Sequence, residues 1–472
     1  MKENIIGRDK EKQILSDIYN SGKSEFVAVC GRRRVGKTFL IKEYFEEELL
    51  FQTSGVANAN KTTQIKTFYN EMLSCGLQSN KKPADWIDVF FMLRQIIEQS
   101  KQQRKVILLD ELPWMDTPRS GFISALEHFW NSWASSRHDV VLVVCGSSTS
   151  WMMNKLIQNH GGLYNRITQR IFLEPFTLKE TEQMLQHKGF MLSRYEIAEL
   201  YMILGGIPFY IDMLQQGLSL SQNIDDLLFR RNGSLRNEFD NLYASLFTNS
   251  DDYVKVVSAL SKRKIGLTRA EIVDETKLNS GGGLSAILQN LEWSGFLRIY
   301  DNYMGKRGET TLYQLTDFFT LFYFHFLRKD TKAENTWTTI QHTPEFHSWI
   351  GLTFELLALL HINQVKSALG ISGVRTKEYA WRQHDEGQGA QIDLVIDRTD
   401  NTVNLCEMKF SINPYEIDKD YEMNLRNKLS CFIKQPKFRK SVQLTFITTY
   451  GVVRNTHCGI VNNEITLEDL FT

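Results

Sequence analysis

Residues 25–45 read EFVAVCGRRRVGKTFLIKEYF. A short apolar run enters G-x-x-x-x-G-K-T, from Gly31 to Thr38, and an amphipathic pattern follows. This segment constrains the fold more than any other. A buried strand, a glycine-bearing turn and the start of a helix must follow one another. In that order, free backbone N–H groups and the positive end of the helix face one point, where an anion binds. The spacing predicts that Gly31, Arg32, Val35, Gly36, Lys37, Thr38 and Phe39 surround the phosphates of ATP. Lys37 is expected to reach the β- and γ-phosphates, and the Thr38 hydroxyl to bind Mg²⁺. Arg32, Arg33 and Arg34 are either a solvated charge run or contacts to a neighbouring chain.

A P-loop of this kind needs a second site for the metal and the water. VILLDEL (106–112) offers one. Asp110 ends an apolar strand and can hold hydrated Mg²⁺; Glu111 follows and can polarise the attacking water. The alternative is an acid pair that only caps the next helix. VVLVVCGSS (140–148) ends in Ser147, either a γ-phosphate contact or a turn residue. GGLYNRITQRIFLEPF (161–176) carries Arg166 and Arg170. Each is a cation for the charge that develops in phosphoryl transfer, or else a salt bridge at a sheet edge. LGGIPFYI (204–211) sets Pro208 either against the adenine or in a helix-breaking turn.

Several of the runs at 25–30, 48–53, 105–110, 139–146 and 169–176 are apolar at consecutive positions, as strands buried on both faces are. Residues 1–176 therefore read as an α/β nucleotide-binding core with a parallel sheet. Residues 177–245 read as a helical lid. Residues 246–316, three helical patterns and a hairpin, have the outline of a winged helix. Residues 317–345 read as a connector and 346–472 as a further α/β unit.

A chain of 472 residues fits about two to four such units. Lys plus Arg equals Asp plus Glu, 55 each, so any basic surface for nucleic acid must be local. The N-terminus lacks a secretory h-region. The strongest apolar run, FFTLFYFHFL (318–327), is about half a membrane span. A cytoplasmic protein with no membrane partner is expected. Cys30, Cys145 and Cys406 lie in strand-like runs and form no CxxC, which predicts buried, reduced thiols.

Taken in order, the Walker A segment, LLDELPW, VVCGSSTSWM, GGLYNRITQRIFLEPF and GGIPFY resemble the archaeal-type ATPases of the STAND branch of AAA+-related P-loop proteins. The resemblance covers about residues 1–320. It implies a winged helix after the ATPase and a nucleotide-sensing role for Gly206–Pro208. It leaves open which arginine serves catalysis, and whether a second copy of the chain supplies it.

In GAQIDLVIDRTDNTVNLCEMKFS (389–411), Asp393 lies on one predicted strand, with Glu407 and Lys409 on one face of the next. Asp-x₁₃-Glu-x-Lys is the pattern of PD-(D/E)xK nucleases, whose carboxylates share a divalent metal while the lysine serves the water. Glu355 stands in an apolar helical stretch with no cation three or four residues away. Gln391 shares the face of Asp393. This order resembles the DUF234-type domain that accompanies such ATPases, and it implies a nuclease-like fold with Glu355, Asp393 and Glu407 as metal ligands. Two readings stay open: a metal-dependent nuclease on DNA or RNA, or a signalling ATPase whose last domain keeps the fold and an ion-pair cluster. The would-be recognition helix (282–293) has no Lys or Arg. The basic residues stand at 261–264 and 304–308, where they could touch a nucleic-acid backbone.

Overall fold

The computed structural model describes residues 4–79, 81–158, 161–163, 165–301, 303, 311–328, 337–383, 390–435 and 438–472. The chain forms two compact units, Met1–Pro175 and Phe176–Thr472.

The first unit is built on five strands, β1 (Glu25–Cys30), β2 (Leu49–Ser54), β3 (Lys105–Asp110), β4 (Val140–Gly146) and β5 (Gln169–Phe172). Their order is β2-β3-β4-β1-β5, and every pair is parallel. The strands β1, β3 and β4 are buried at every position, which explains their unbroken apolar sequences. Helices on the sheet supply the burial: Phe68, Trp86, Phe90, Phe122 and Phe129 form one aromatic layer. Each such ring contributes roughly 1.5–3 kcal/mol when it leaves water. From β1 the chain passes to the far edge and returns through β3 and β4. The carboxyl ends of β1, β3 and β4 are therefore neighbours, at the crevice where open α/β sheets bind ligands.

The second unit opens with helices Leu178–His187 and Arg194–Leu204. Both start with a reciprocal capping box, Thr177 with Glu180 and Ser193 with Glu196. Helices Ser250–Ser261, Arg269–Thr276 and Gly282–Trp293 accompany a small antiparallel sheet of β6 (Leu267–Thr268), β7 (Leu297–Asp301) and β8 (Thr311–Leu315), ordered β6-β8-β7. The basic stretch 304–308 lies outside the described residues.

The run expected to begin a connector is instead core. Asp317 caps the helix Phe318–Phe322, and Phe318, Phe319, Phe322 and Phe326 are buried. Tyr323 stacks on Phe239 at 3.9 Å. Aromatic residues this dense cannot stay solvated, so the segment folds inward.

A last sheet joins β9 (Thr376–Gln383), β10 (Ala390–Arg398), β11 (Thr402–Lys409), β12 (Ser441–Thr448) and β13 (Asn463–Thr466) in the order β13-β12-β11-β10-β9. The strands β9, β10 and β11 are antiparallel; β11, β12 and β13 are parallel. Asn401, at φ 64°, turns the hairpin between β10 and β11. The helix Pro344–Leu360 packs on β11, and the helix Lys419–Ile433 packs on β10.

Candidate functional site

Gly31 leaves β1 at φ 150°, and a Cβ there would lie 2.4 Å from the Leu173 carbonyl oxygen. No side chain fits that approach. Gly36 (φ 93°) caps the helix Lys37–Phe45, and Arg34 also takes a left-handed backbone (φ 73°). The loop thus curls and leaves the first-turn N–H groups free of intrahelical partners. Lys37 is buried, and its ammonium donates to the carbonyls of Gly31 (2.8 Å) and Arg32 (3.0 Å) and to Ser147 Oγ (3.2 Å). Burial lowers its pKa, against the pull of Glu111.

Thr38 Oγ1 donates to Asp110 Oδ2 at 2.8 Å. Asp110 Oδ1 is buried with no hydrogen-bond partner among the described residues, and burial raises the carboxyl's pKa. A hydroxyl beside an unsatisfied carboxylate oxygen is a donor set for a hard divalent cation, so these residues fit Mg²⁺. Glu111 has φ 45°. Its carboxylate accepts from Ser147 Oγ at 2.5 Å and from the Ser147 N–H at 3.3 Å. Ser147 therefore bridges Lys37 to Glu111.

Three contacts were not legible in the sequence. Arg8 is buried and its guanidinium donates to the Val35 carbonyl at 3.2 Å, which ties the N-terminal segment to the loop. Gly55, after β2, passes so close that a Cβ would lie 2.5 Å from the Glu111 carbonyl oxygen. The third is the Ser147 bridge itself. No spacing rule marks Arg8 or Gly55, and the spacing that marks Ser147 says nothing of its bond to Glu111. Of the three loop arginines only Arg33 is exposed; Arg32 is buried and Arg34 half-buried, so a solvated run describes one residue of three. Val35 is buried and Phe39 is exposed. Arg166 and Arg170 are exposed. Arg170 stands on β5 opposite Ala28, and neither arginine forms an ion pair among the described residues. The six cysteines are free, with Cys30, Cys145 and Cys406 buried. Burial pushes the Cys30 thiol up to about 12.

Pro208, in the second unit, opens the helix Pro208–Asp212. Before it, Gly206 (φ 62°) donates no side chain because a Cβ would meet the Phe176 carbonyl oxygen at 2.4 Å.

In the second unit Glu355 and Asp393 share one cationic partner, and Glu407 has another. Glu355, on the helix Pro344–Leu360, and Asp393, on β10, both pair with the Lys264 ammonium, Asp393 Oδ2 at 3.3 Å. Gln391 Nε2 donates to Asp393 Oδ1 at 2.7 Å. Burial and the neighbouring Asp393 push Glu355 up to about 8. Burial also works to raise Asp393, but Lys264, Gln391 and Glu355 outweigh it and hold it below the usual range. Glu407, buried on β11, pairs with Lys428 and accepts from the Tyr421 hydroxyl at 3.0 Å. The Lys409 ammonium lies 4.9 Å and 5.6 Å from the ring centres of Tyr421 and Tyr415, and burial lowers its pKa. Among the described residues no group of three or more His, Cys, Asp or Glu side chains is placed to hold a metal. Glu355 and Asp393 meet at Lys264, whereas Glu407 meets Lys428 and Tyr421. Two lysines and a tyrosine neutralise them in two separate arrangements, which as they stand do not fit a shared cation.

Residues 6–214 match a family of ATPase domains found predominantly in Archaea. An uncharacterized protein of Methanocaldococcus jannaschii is 24% identical over 372 residues, 76% of this chain and 78% of that protein. An uncharacterized ATP-binding protein of the same organism is 36% identical over 50 residues, 11% of this chain and 85% of that protein. The Walker-type ATPase of Pyrococcus abyssi shares the fold, with a TM-score of 0.52 at 18% identity, over 68% of this chain and 96% of that one. Residues 6–214 are thus similar to archaeal-type ATPase domains, and the chain shares the fold of a Walker-type ATPase.

Proposed function

We propose that this chain is an ATP-hydrolysing switch whose first unit binds Mg·ATP at Gly31–Thr38 and hydrolyses it with Glu111 as the water-orienting base. The observation that carries this reading is the hydrogen-bonded series from Lys37 through Ser147 to Glu111 beside the Thr38–Asp110 pair. Lys37 serves the β- and γ-phosphates, with the first-turn N–H groups as the rest of the cradle. Thr38 and Asp110 would hold Mg²⁺, which would neutralise phosphate charge. Phosphate arriving at the loop takes the Lys37 ammonium from the two carbonyls it now contacts. Ser147 goes on donating to Glu111 and holds its carboxylate in place for the water. The test is nucleotide titration of the purified chain and its Lys37→Ala variant with Mg·ATP. The variant should bind ATP far more weakly, and unchanged affinity in a folded variant would refute the reading.

For the second unit, three helices with a three-stranded sheet over 250–315 support a winged-helix module. Two of its basic residues are paired within the chain: Lys264 with Glu355 and Asp393, and Lys262 with Glu275 at 2.9 Å. This favours a rigid spacer over a reader of DNA or RNA. The mixed order of the last sheet, with Asp393 and Glu407 on adjacent strands, supports a PD-(D/E)xK-like fold. The lysine partners favour a domain that does not cut in this conformation.

A further inference from the structure

We propose that the cavity beside Arg298 binds a small organic anion, one phosphate, sulfonate or carboxylate group carried on a flat apolar body. The site lies within the second unit and depends neither on the nucleotide site nor on cleavage by the last sheet. The cavity measures about 290 Å³ and is bounded by the end of the helix Ser250–Ser261, strands β7 and β8 and the helix Pro344–Leu360. That is the small end of ligand pockets, which run to roughly 300–1,000 Å³. Leu260, Leu321, Trp349, Leu352 and Leu356 supply apolar lining. Five basic side chains also line it: Lys262, Arg263, Lys264, Arg298 and His325. Three of these have acidic partners. Lys262 pairs with Glu275, Lys264 with Glu355 and Asp393, and His325 Nε2 lies 3.1 Å from Glu345. Arg263 and Arg298 have no carboxylate partner among the described residues.

The missing partner matters most at Arg298. A guanidinium keeps its charge at any ordinary pH, and taking it out of water is costly unless an anion meets it. Arg298 is half-buried on β7, and burial lowers its pKa. Glu378 acts on it from a distance but is itself paired with Lys366 at 2.5 Å. What holds Arg298 is neutral. Its Nε donates to Gln314 Oε1 at 2.5 Å, and its guanidinium carbon lies 4.3 Å from the Tyr300 ring centre. Gln314 Nε2 also donates to the Lys264 carbonyl at 2.6 Å, so one side chain fixes both Arg298 and the loop that bears Arg263. A guanidinium fixed at a cavity wall with no carboxylate upon it is arranged for an incoming oxyanion. Glu355 and Asp393 do not fill that role, because both are engaged with Lys264. Leu352 is 43% exposed, apolar surface that the body of the ligand would cover.

The test is calorimetric titration of the full chain with naphthalene-1-sulfonate, an aromatic anion of two fused rings, and separately with inorganic sulfate. Melting temperature is recorded in parallel. Wild type should bind the aromatic sulfonate and gain melting temperature from it. It should bind sulfate at least about tenfold more weakly, because sulfate brings no apolar body to the leucines and Trp349. Arg298→Gln should weaken the sulfonate about tenfold or more, the scale of one hydrogen bond to a charged group. Arg263 is exposed, so Arg263→Gln reads the same loss if Arg298→Gln does not fold. An excess of Mg·ADP should leave the sulfonate in place. Displacement by Mg·ADP would put the probe in the nucleotide site and overturn the proposal. So would absence of sulfonate binding by wild type, or equal binding in both arginine variants. Sulfate held as tightly as the aromatic anion would overturn the assignment of an apolar ligand.

Discussion

Glu111 holds a left-handed backbone (φ 45°) that costs a non-glycine residue about 1–3 kcal/mol. Two hydrogen bonds from Ser147 offset that strain and aim the carboxylate. Glu111→Gln keeps an acceptor oxygen for one of these bonds and loses the base. It should retain ATP affinity while single-turnover hydrolysis falls about 10²-fold or more. A wild-type rate in the variant would assign the water to another residue. Ser147→Ala acts one step further out. It deletes hydrogen bonds to two charged groups, each of about 1.5–3 kcal/mol, so turnover should fall about tenfold or more with ATP still bound. Lys37, Thr38, Asp110 and Glu111 were legible because their chemistry depends on position along one strand and one loop. Arg8 and Gly55 were not, because each matters only through a backbone atom brought close by the fold.

Elements follow the same division. The strands β1, β3 and β4 could be read off the sequence, since each follows from local spacing. The partners of the acids could not: Lys264 stands 129 residues from Asp393. Nor could the role of His361, which ends the helix Pro344–Leu360. Its Nδ1–H donates to the Leu357 carbonyl (2.9 Å), and its Nε2 accepts the Leu178 N–H at 3.0 Å. Burial lowers its pKa from 6.5 to about 4. The unfolded chain therefore binds a proton at this histidine near pH 6.5, and the folded chain only near pH 4. This contribution is fully present above pH 6.5 and lost as pH falls towards 4, with a slope near 1.4 kcal/mol per unit and a total of about 3 kcal/mol. Urea unfolding at pH 7.5 and 5 should show the loss in wild type. His361→Gln, which cannot take up the proton, should flatten that slope; an identical slope in both proteins would contradict the assignment.

At the scale of the whole molecule, the formal charge is zero, and no helix among the described residues is long and apolar enough to cross a membrane. What the first unit leaves unassigned is a cation for the transition state beyond Lys37. Arg166 and Arg170 are exposed and form no ion pair among the described residues. A guanidinium left in water contributes little to stability, so its role must lie in what it meets. We expect one of the two to enter the nucleotide site of a second copy of the chain. Such fingers contribute about 10³–10⁵ in rate where they are known. Specific ATPase activity should then rise with protein concentration, and one of Arg166→Ala and Arg170→Ala should abolish the rise. Mixing decides between a finger in trans and one in cis. The arginine variant keeps Glu111 but lacks the finger, whereas Glu111→Gln keeps the finger but lacks the base. Each is inactive alone, yet a mixture pairs the finger of one with the intact site of the other. Activity recovered on mixing places the arginine in trans. A rate independent of concentration, with neither arginine variant impaired, would instead make the chain a switch that turns over ATP without a finger.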